Sequence, residues 1–350
     1  MRNVIFAFLC LSAISGCSSS PPTAYAPGAP GARLYVSDET GGKVIVIDVA
    51  SGTVAQTIDV GKRPRGIRIS RDGTQLLVAL SGSAIAGPNV DESKLPPPDR
   101  SADGIGVVDL GTHKLVRKYE SGDDPEVFDL SADGRTIYVS NEDAAQVSVV
   151  DTGTGSIATR IDVGEEPEGV TVSPDGAAVY VTSEGSNEVA AIDTKSRTLV
   201  AHIKVGPRPR SITFSKDGKT AFVTNETAAT VGVIDTATHT LASTIELPPI
   251  EGAPTPPRPM GGALSPDGQQ LFISLGRAGA VAVIDVAGRK LLRTIQGVGT
   301  RPWGIAVSAD GRKLYTANGS SGDVSVIDLE SGKVEKKIAT GGSPWGVVVK

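Results

Sequence analysis

The chain has 350 residues, among them 42 Gly and 23 Pro but only six Phe, six Tyr and two Trp, a balance that suits many short strands rather than long helices. A chain of this length buries roughly 75% of its unfolded surface, so a large core needs no disulfide or metal staple. With 34 basic against 39 acidic residues and a formal charge of -5, nothing calls for a polyanionic partner, and nucleic-acid binding is not expected.

The first element is a leader. MRNVIFAFLCLSAISGCSSS combines one Arg, an apolar run from Val4 to Leu11 and small residues up to Cys17, the architecture of a secretory signal over residues 1–16. The apolar run is too short for a stable membrane span. Ile14-Ser15-Gly16-Cys17 resembles a bacterial lipobox, although that pattern usually begins with Leu. The resemblance implies that Cys17 is acylated and becomes the mature N-terminus, anchored to the outer membrane and facing the periplasm or the exterior. Cys10 would leave with the signal, so no free thiol would remain for disulfides, thiolate catalysis or Cys-bound metal. Residues 17–31, small and Pro-rich, read as a flexible tether.

From residue 32 to 350 the chain repeats. One unit reads Pro167-Glu-Gly, VTVS, Pro-Asp-Gly176, AVYVTSE, a loop, VAAID193, a turn and TLVAHIKVG206. Pro anchors recur at 64, 125, 167, 209, 259, 302 and 344, and a third run ends in Asp at 48, 109, 151, 193, 235, 285 and 328. Four runs of β-formers per unit, parted by Gly, Asp-Gly or Thr-Gly turns, describe antiparallel strands. At a period of about 40 to 45 residues, such units are propeller blades. Seven copies predict an all-β, seven-bladed β-propeller of four-stranded antiparallel blades. Because the chain enters on a second strand near Arg33 and ends on the inner strand GGSPWGVVVK, its two ends are expected to complete one blade and close the ring.

In chain order, the residue after each Pro begins an inner strand near the mouth of the central channel: Arg65, Glu126, Glu168, Arg210, Met260, Trp303 and Trp345. Blades 2 and 3 thus offer an acidic arc, blades 1 and 4 to 6 contribute cations in and beside this ring, and the two Trp stand on adjacent blades. Solvated charge is the ordinary reading of any one Glu or Arg there. Paired aromatics behind Pro at a rim suit a ligand platform. Two insertions, Gly82 to Asp103 and LPPIEGAPTPPRP before Met260, fall on the same face and suggest function by their length. A second ring follows the YVS/YVT strands: Glu39, Asn141, Glu142, Glu184 and Glu226. These are candidate oxygen ligands for Ca²⁺, or equally partners for loop N–H groups and neighbouring Arg.

His113, His202 and His239 fall away from this face, and no haem-attachment or nucleophile-elbow motif occurs. The three phased motifs resemble those of the YVTN-repeat β-propeller family over essentially all of residues 32 to 350. Within it the chain looks most like the seven-repeat periplasmic proteins associated with pyrroloquinoline-quinone-dependent alcohol catabolism. The resemblance implies a monomeric, non-catalytic, lipid-anchored propeller without a cofactor, binding a periplasmic or surface protein or a small ligand as an accessory to alcohol oxidation. Two alternatives stay open: a divalent-metal-dependent, lactonase-like hydrolase with Asn141, Glu142, Glu184 and Glu226 as ligands, or an adhesive surface propeller.

Overall fold

The computed structural model describes residues 31–85 and 94–350. The leader, Cys17 and the tether as far as residue 30 lie outside the described residues, as do residues 86–93 of the first insertion. The rest forms seven four-stranded antiparallel sheets, with no α-helix among the described residues. The chain is a seven-bladed β-propeller.

Each sheet opens on the inner strand after its Pro anchor: Ile67–Ile69, Pro125–Leu130, Pro167–Val172, Pro209–Phe214, Gly262–Leu264, Pro302–Val307 and Pro344–Val349 for blades 1 to 7. The second and third strands are buried almost throughout, as in Ala178–Ser183 and Glu188–Asp193 of blade 3. The fourth alternates between cover and solvent, as in Thr198–Lys204. Closure is of the expected kind: Leu34, Tyr35 and Val36 pair with Val349, Val348 and Val347. Reciprocal Arg33–Lys350 backbone bonds of 2.7 and 2.8 Å seal the seam, leaving no inner edge unpaired.

The hydrophobic core lies between blades rather than within them. Tyr180 and Val189 of blade 3 pack on Ile212, Phe214 and Val223 of blade 4, with the Tyr180 and Phe214 rings edge-on at 5.0 Å. Burying each such side chain contributes about 1.5 to 3 kcal/mol, so every blade depends on its two neighbours. The repeated Ser-x-Asp-Gly hairpin has an equally local cause. In six blades the Ser hydroxyl donates to the Asp carboxylate at 2.6 to 2.7 Å, from Ser70–Asp72 to Ser308–Asp310. The following Gly takes a φ of 70 to 77°, which a side chain resists. The third-strand Asp closes the next turn in the same way, Asp193 accepting from the Ser196 N–H at 2.7 Å.

Candidate functional site

All seven residues of the post-Pro ring border one central cavity of about 1170 Å³ at the Pro-anchor mouth. Local rules of the repeat bring them there. In blade 3, Pro167 pairs with Ser183 and Val170 with Val181, so Glu168 and Gly169 together oppose Thr182. This is a β-bulge, a device that re-aims a side chain. The same register shift occurs in blades 2, 4, 6 and 7. Gly at the second bulge position lets neighbouring inner strands meet: a Cβ on Gly304 would stand 2.6 Å from the Trp345 carbonyl oxygen, and one on Gly66 2.8 Å from that of Glu126.

The last residue of YVS or YVT holds the ring residue of the next blade. Ser37 donates to the Arg65 carbonyl at 2.6 Å, Ser140 to Glu168 at 2.6 Å, Thr182 to Arg210 at 3.1 Å, Thr224 to Met260 at 2.7 Å and Ser274 to Trp303 at 2.8 Å. Blades 1 and 6 carry Ala79 and Ala317 there and offer no such hydroxyl. The residues before Pro add a further constraint. Arg63, Asp124, Glu166, Arg208 and Arg301 have φ between 40 and 58°, a conformation uncommon for such side chains and concentrated at working sites.

The charged ring is buried, not solvated. Arg65, 1% exposed, donates to the Asp124 carboxylate at 2.5 Å and to the Pro125 carbonyl at 2.9 Å. It also pairs with Glu126, and lies 3.8 Å from Glu142. Ser81 donates to the same Asp124 carboxylate. Burial works against the Asp124 charge, yet Arg65, Ser81 and Arg63 outweigh it and hold the carboxyl below its ordinary range. Arg210 is a second centre: it donates to Glu168 at 2.6 Å and to Glu226 at 2.7 Å. It also lies 2.6 Å from Glu184 Oε2, an atom that accepts no hydrogen bond, so that contact is one of charge.

Glu142 and Glu168 differ from the other carboxyls. Burial pushes Glu168 up to about 7, with Glu184 and Glu142 adding to the rise against the pull of Arg210. Burial likewise raises Glu142 to about 7, Arg65 opposing and Asp124 and Glu184 reinforcing. Glu226 is held low because Arg210, Arg208 and Arg258 outweigh its burial. The mouth therefore pairs acids that change protonation near neutrality with guanidiniums that stay charged.

On the other side of the cavity Trp303 and Trp345 lie 5.1 Å apart at 34°. The guanidiniums of Arg210 and Arg301 stand 5.1 and 5.3 Å from the Trp303 ring. Met260 is buried beside them. The first insertion reaches the cavity through Ser83, Ile85, Leu95, Pro96 and Pro98. It is fastened by Arg63, which donates to the Ser83 and Ala84 carbonyls at 3.2 Å, and by the Arg100–Asp143 pair at 2.5 Å. The second insertion packs instead on the core between blades 4 and 5 through Leu247, Ile250 and Ala253; only its end, from Arg258 on, borders the cavity.

Of the second ring, Glu39, Glu142, Glu184 and Glu226 border the cavity. Asn141 does not: its amide N–H₂ donates to the Ser121 carbonyl at 2.7 Å and its oxygen accepts from Ser148 at 2.7 Å. Glu39 is taken by Arg63 at 3.1 Å, Glu184 by Arg208 at 2.7 Å and Glu226 by Arg258 at 3.1 Å. Asp124, Glu126 and Glu142 bring carboxylate oxygens within 4.8 Å of one another, a spacing that would suit a divalent cation. The Arg65 guanidinium already lies among them, and a cation would have to displace it from a buried place. The donor set does not fit a resident metal. None of the three His borders the cavity; His202 pairs with Glu188 at 2.6 Å and His239 with the Tyr180 hydroxyl at 2.6 Å.

Sequence reasoning missed Ser81 and the burial of the ring. Ser81 stands on blade 1 at the position that Glu142, Glu184 and Glu226 take on blades 2, 3 and 4. The signal for burial was the adjacency of opposite charges in the ring, Arg65 beside Glu126 and Glu168 beside Arg210, since such neighbours can be paired when desolvated.

The profile of the family described as "Lactonase, 7-bladed beta-propeller" matches residues 164–350, and that of the "Choice-of-anchor I domain" matches residues 29–199. Among solved structures, the periplasmic gluconolactonase of Pseudomonas aeruginosa is 23% identical with a TM-score of 0.71, over 91% of this chain and 98% of that one. A putative 6-phosphogluconolactonase from Bacteroides fragilis is 18% identical with a TM-score of 0.71, over 95% and 100%. A curated relative, Antigen Lp49 of Leptospira interrogans, is 28% identical over 109 residues, 31% of this chain but only 23% of its own length. The family match overturns the expectation of a non-catalytic accessory propeller. That expectation rested on the resemblance and on the absence of haem-attachment and nucleophile-elbow motifs, neither of which bears on carboxyls whose pKa values rise to about 7 in the assembled mouth.

Proposed function

Because the chain belongs to the seven-bladed β-propeller lactonase family, whose profile matches more than half of it, we propose that it is a hydrolase that opens lactone rings at the Pro-anchor mouth. The observation that carries this reading is the juxtaposition of Glu142 and Glu168, each raised to about 7, with the buried guanidiniums of Arg65 and Arg210. An acid and a base poised near working pH are what ester cleavage requires.

The reaction follows from those groups. One carboxylate of the pair takes a proton from water as the water oxygen attacks the lactone carbonyl carbon. A guanidinium offers N–H donors to the oxyanion that develops, in a site that burial keeps low in dielectric. As the carbonyl re-forms, the ring C–O bond breaks, and the alkoxide leaving group takes a proton from the other carboxyl, still protonated near neutrality. The product is a hydroxy acid. Trp303 and Trp345 line the cavity beside these groups and offer apolar contact to the ring.

The test is a pH-stat assay over a panel of γ- and δ-lactones with the metal-free protein. Ring opening that withstands chelation is expected, since the carboxylates are given to guanidiniums. Activity that appears only on adding a divalent ion would replace this mechanism with a metal-dependent one, and no activity across the panel would sink the hydrolase reading.

The YVTN-type phasing of the repeats is a finer grouping supported by the residue pattern alone. We read the enzyme as exported and lipid-anchored at Cys17, a proposal supported by the leader sequence. Metabolic labelling with palmitate should mark the wild type and spare Cys17→Ala; equal labelling of both would contradict it.

A further inference from the structure

The first insertion sorts its side chains between two tasks. Charged ones make ties: Asp99 pairs with Lys62 at 2.7 Å, and Arg100 with Asp103 at 3.2 Å and with Asp143 of blade 2 at 2.5 Å. The two arms are joined to each other, the Asp99 N–H donating to the Gly82 carbonyl at 3.0 Å and Arg100 to the Ser83 hydroxyl at 3.3 Å. Arg63, itself paired with Glu39 of blade 7, holds the Ser83 and Ala84 carbonyls. What the insertion then presents to the central cavity, among the described residues, is uncharged: Ser83, Ala84, Ile85, Leu95, Pro96 and Pro98. Exposure singles out Ile85. Seven large apolar side chains are well exposed among the described residues, and six of them lie on fourth strands, at the outer rim of the blades. The seventh is Ile85, 45% exposed and bordering the cavity.

An apolar wall fastened by ion pairs at the edge of a charged cavity is a place where hydrocarbon leaves water. The Pro run from 96 to 98 fixes its own φ, so little chain entropy is lost in holding the wall there. We infer that the first insertion forms a hydrocarbon-binding subsite: Ile85, Leu95, Pro96 and Pro98 take an alkyl substituent of the ligand that occupies the mouth. The size of the cavity argues for such a substituent. At about 1170 Å³ it exceeds the roughly 300 to 1,000 Å³ of an ordinary ligand pocket, and a bare lactone ring would leave most of it empty. The Arg100–Asp143 tie sets the wall on the side of blade 2, where Glu142 stands, so a chain held on the wall directs its ring towards that carboxyl. Under the hydrolase reading, on which this use rests, the substrate is a lactone with an alkyl chain; the binding itself does not depend on that reading.

The experiment is a calorimetric titration of the full mature protein with methyl-, butyl- and hexyl-substituted tetrahydrofuran, cyclic ethers that have no carbonyl to open. Affinity should rise along the series, the hexyl ether binding about tenfold or more tighter than the methyl ether, since each fully buried methylene is worth about fourfold. Ile85→Ser with Leu95→Ser should reduce that ratio to about threefold or less. Val116→Ser, which removes an exposed side chain from the outer strand of blade 1, should leave it unchanged. All three proteins are compared at a temperature where each is folded. A wild-type ratio short of tenfold, no binding of the hexyl ether, or a ratio that survives in the double variant would overturn the inference. A parallel pH-stat assay with γ-valerolactone and γ-decalactone separates the two readings: chain-selective binding without ring opening would leave the subsite standing and defeat only the hydrolase reading.

Discussion

Glu168 shows how one residue acquires its chemistry. It is 5% exposed, its backbone carbonyl is held by Ser140 at 2.6 Å, and its carboxylate faces Arg210 at 2.6 Å. Because its folded pKa is raised by burial to about 7, the native state binds this proton more tightly than the unfolded chain. The stabilisation is fully present below about pH 4.5 and is lost as pH rises through about 7. Glu142 acts in the same direction. His113, lowered by burial on the far side, has the opposite sign, so the carboxyl effect is isolated by comparison with Glu168→Gln. The melting temperature of wild type should fall more steeply between pH 5 and 8 than that of Glu168→Gln; parallel curves would show that Glu168 does not titrate in this window. Ser140→Ala removes the bonds to Glu168 and to the Val127 carbonyl and N–H. A loss of about 1 to 3 kcal/mol is expected in denaturant unfolding, with reduced kcat, and an unchanged stability would count against the strut.

At the scale of the element, the bulge after Pro in blades 2, 3, 4, 6 and 7 was only partly legible. The recurrence of Pro, a variable residue and Gly placed the ring residues near the mouth, because a repeated motif must occupy a repeated position. What the variable residues do there depends on the neighbouring blade: Ser37 serves Arg65 and Thr182 serves Arg210 across blade boundaries, and such pairings are set by blade geometry rather than by local spacing. The same limit explains the second insertion, whose length read as a functional loop but whose Leu247 and Ile250 pack on the core between blades 4 and 5. Gly169 tests the element directly. A Cβ there falls well inside contact distance of the Arg210 carbonyl and stands 3.0 Å from Ser211 Cα. Gly169→Ala should therefore push the inner strands of blades 3 and 4 apart, costing about 1 to 3 kcal/mol and loosening the Glu168–Arg210 pair. Unfolding measurements that find it neutral would show that the strands tolerate separation.

For the whole molecule, closure and chemistry depend on the same ring. Blade 7 is built from both ends of the chain, and its inner strand carries Trp345, so removing residues 344–350 should abolish the cooperative unfolding transition as well as activity. A truncated chain that still melts cooperatively near the wild-type temperature would contradict this dependence. The fold and its closure were legible because seven phased copies of three motifs permit few other arrangements. The hydrolytic role proposed for the mouth was not, because it rests on the raised pKa values of Glu142 and Glu168, a property of the assembled mouth that neither residue shows in its own segment. The most direct test of that mouth as a hydrolytic centre is the pH dependence of kcat/KM for lactone opening in the wild type, Glu142→Gln and Glu168→Gln. The account predicts a bell-shaped wild-type profile centred near neutrality and a loss of about a hundredfold or more in each variant, measured at a temperature where each variant is still folded. Variants that keep wild-type rates and the same profile would contradict it.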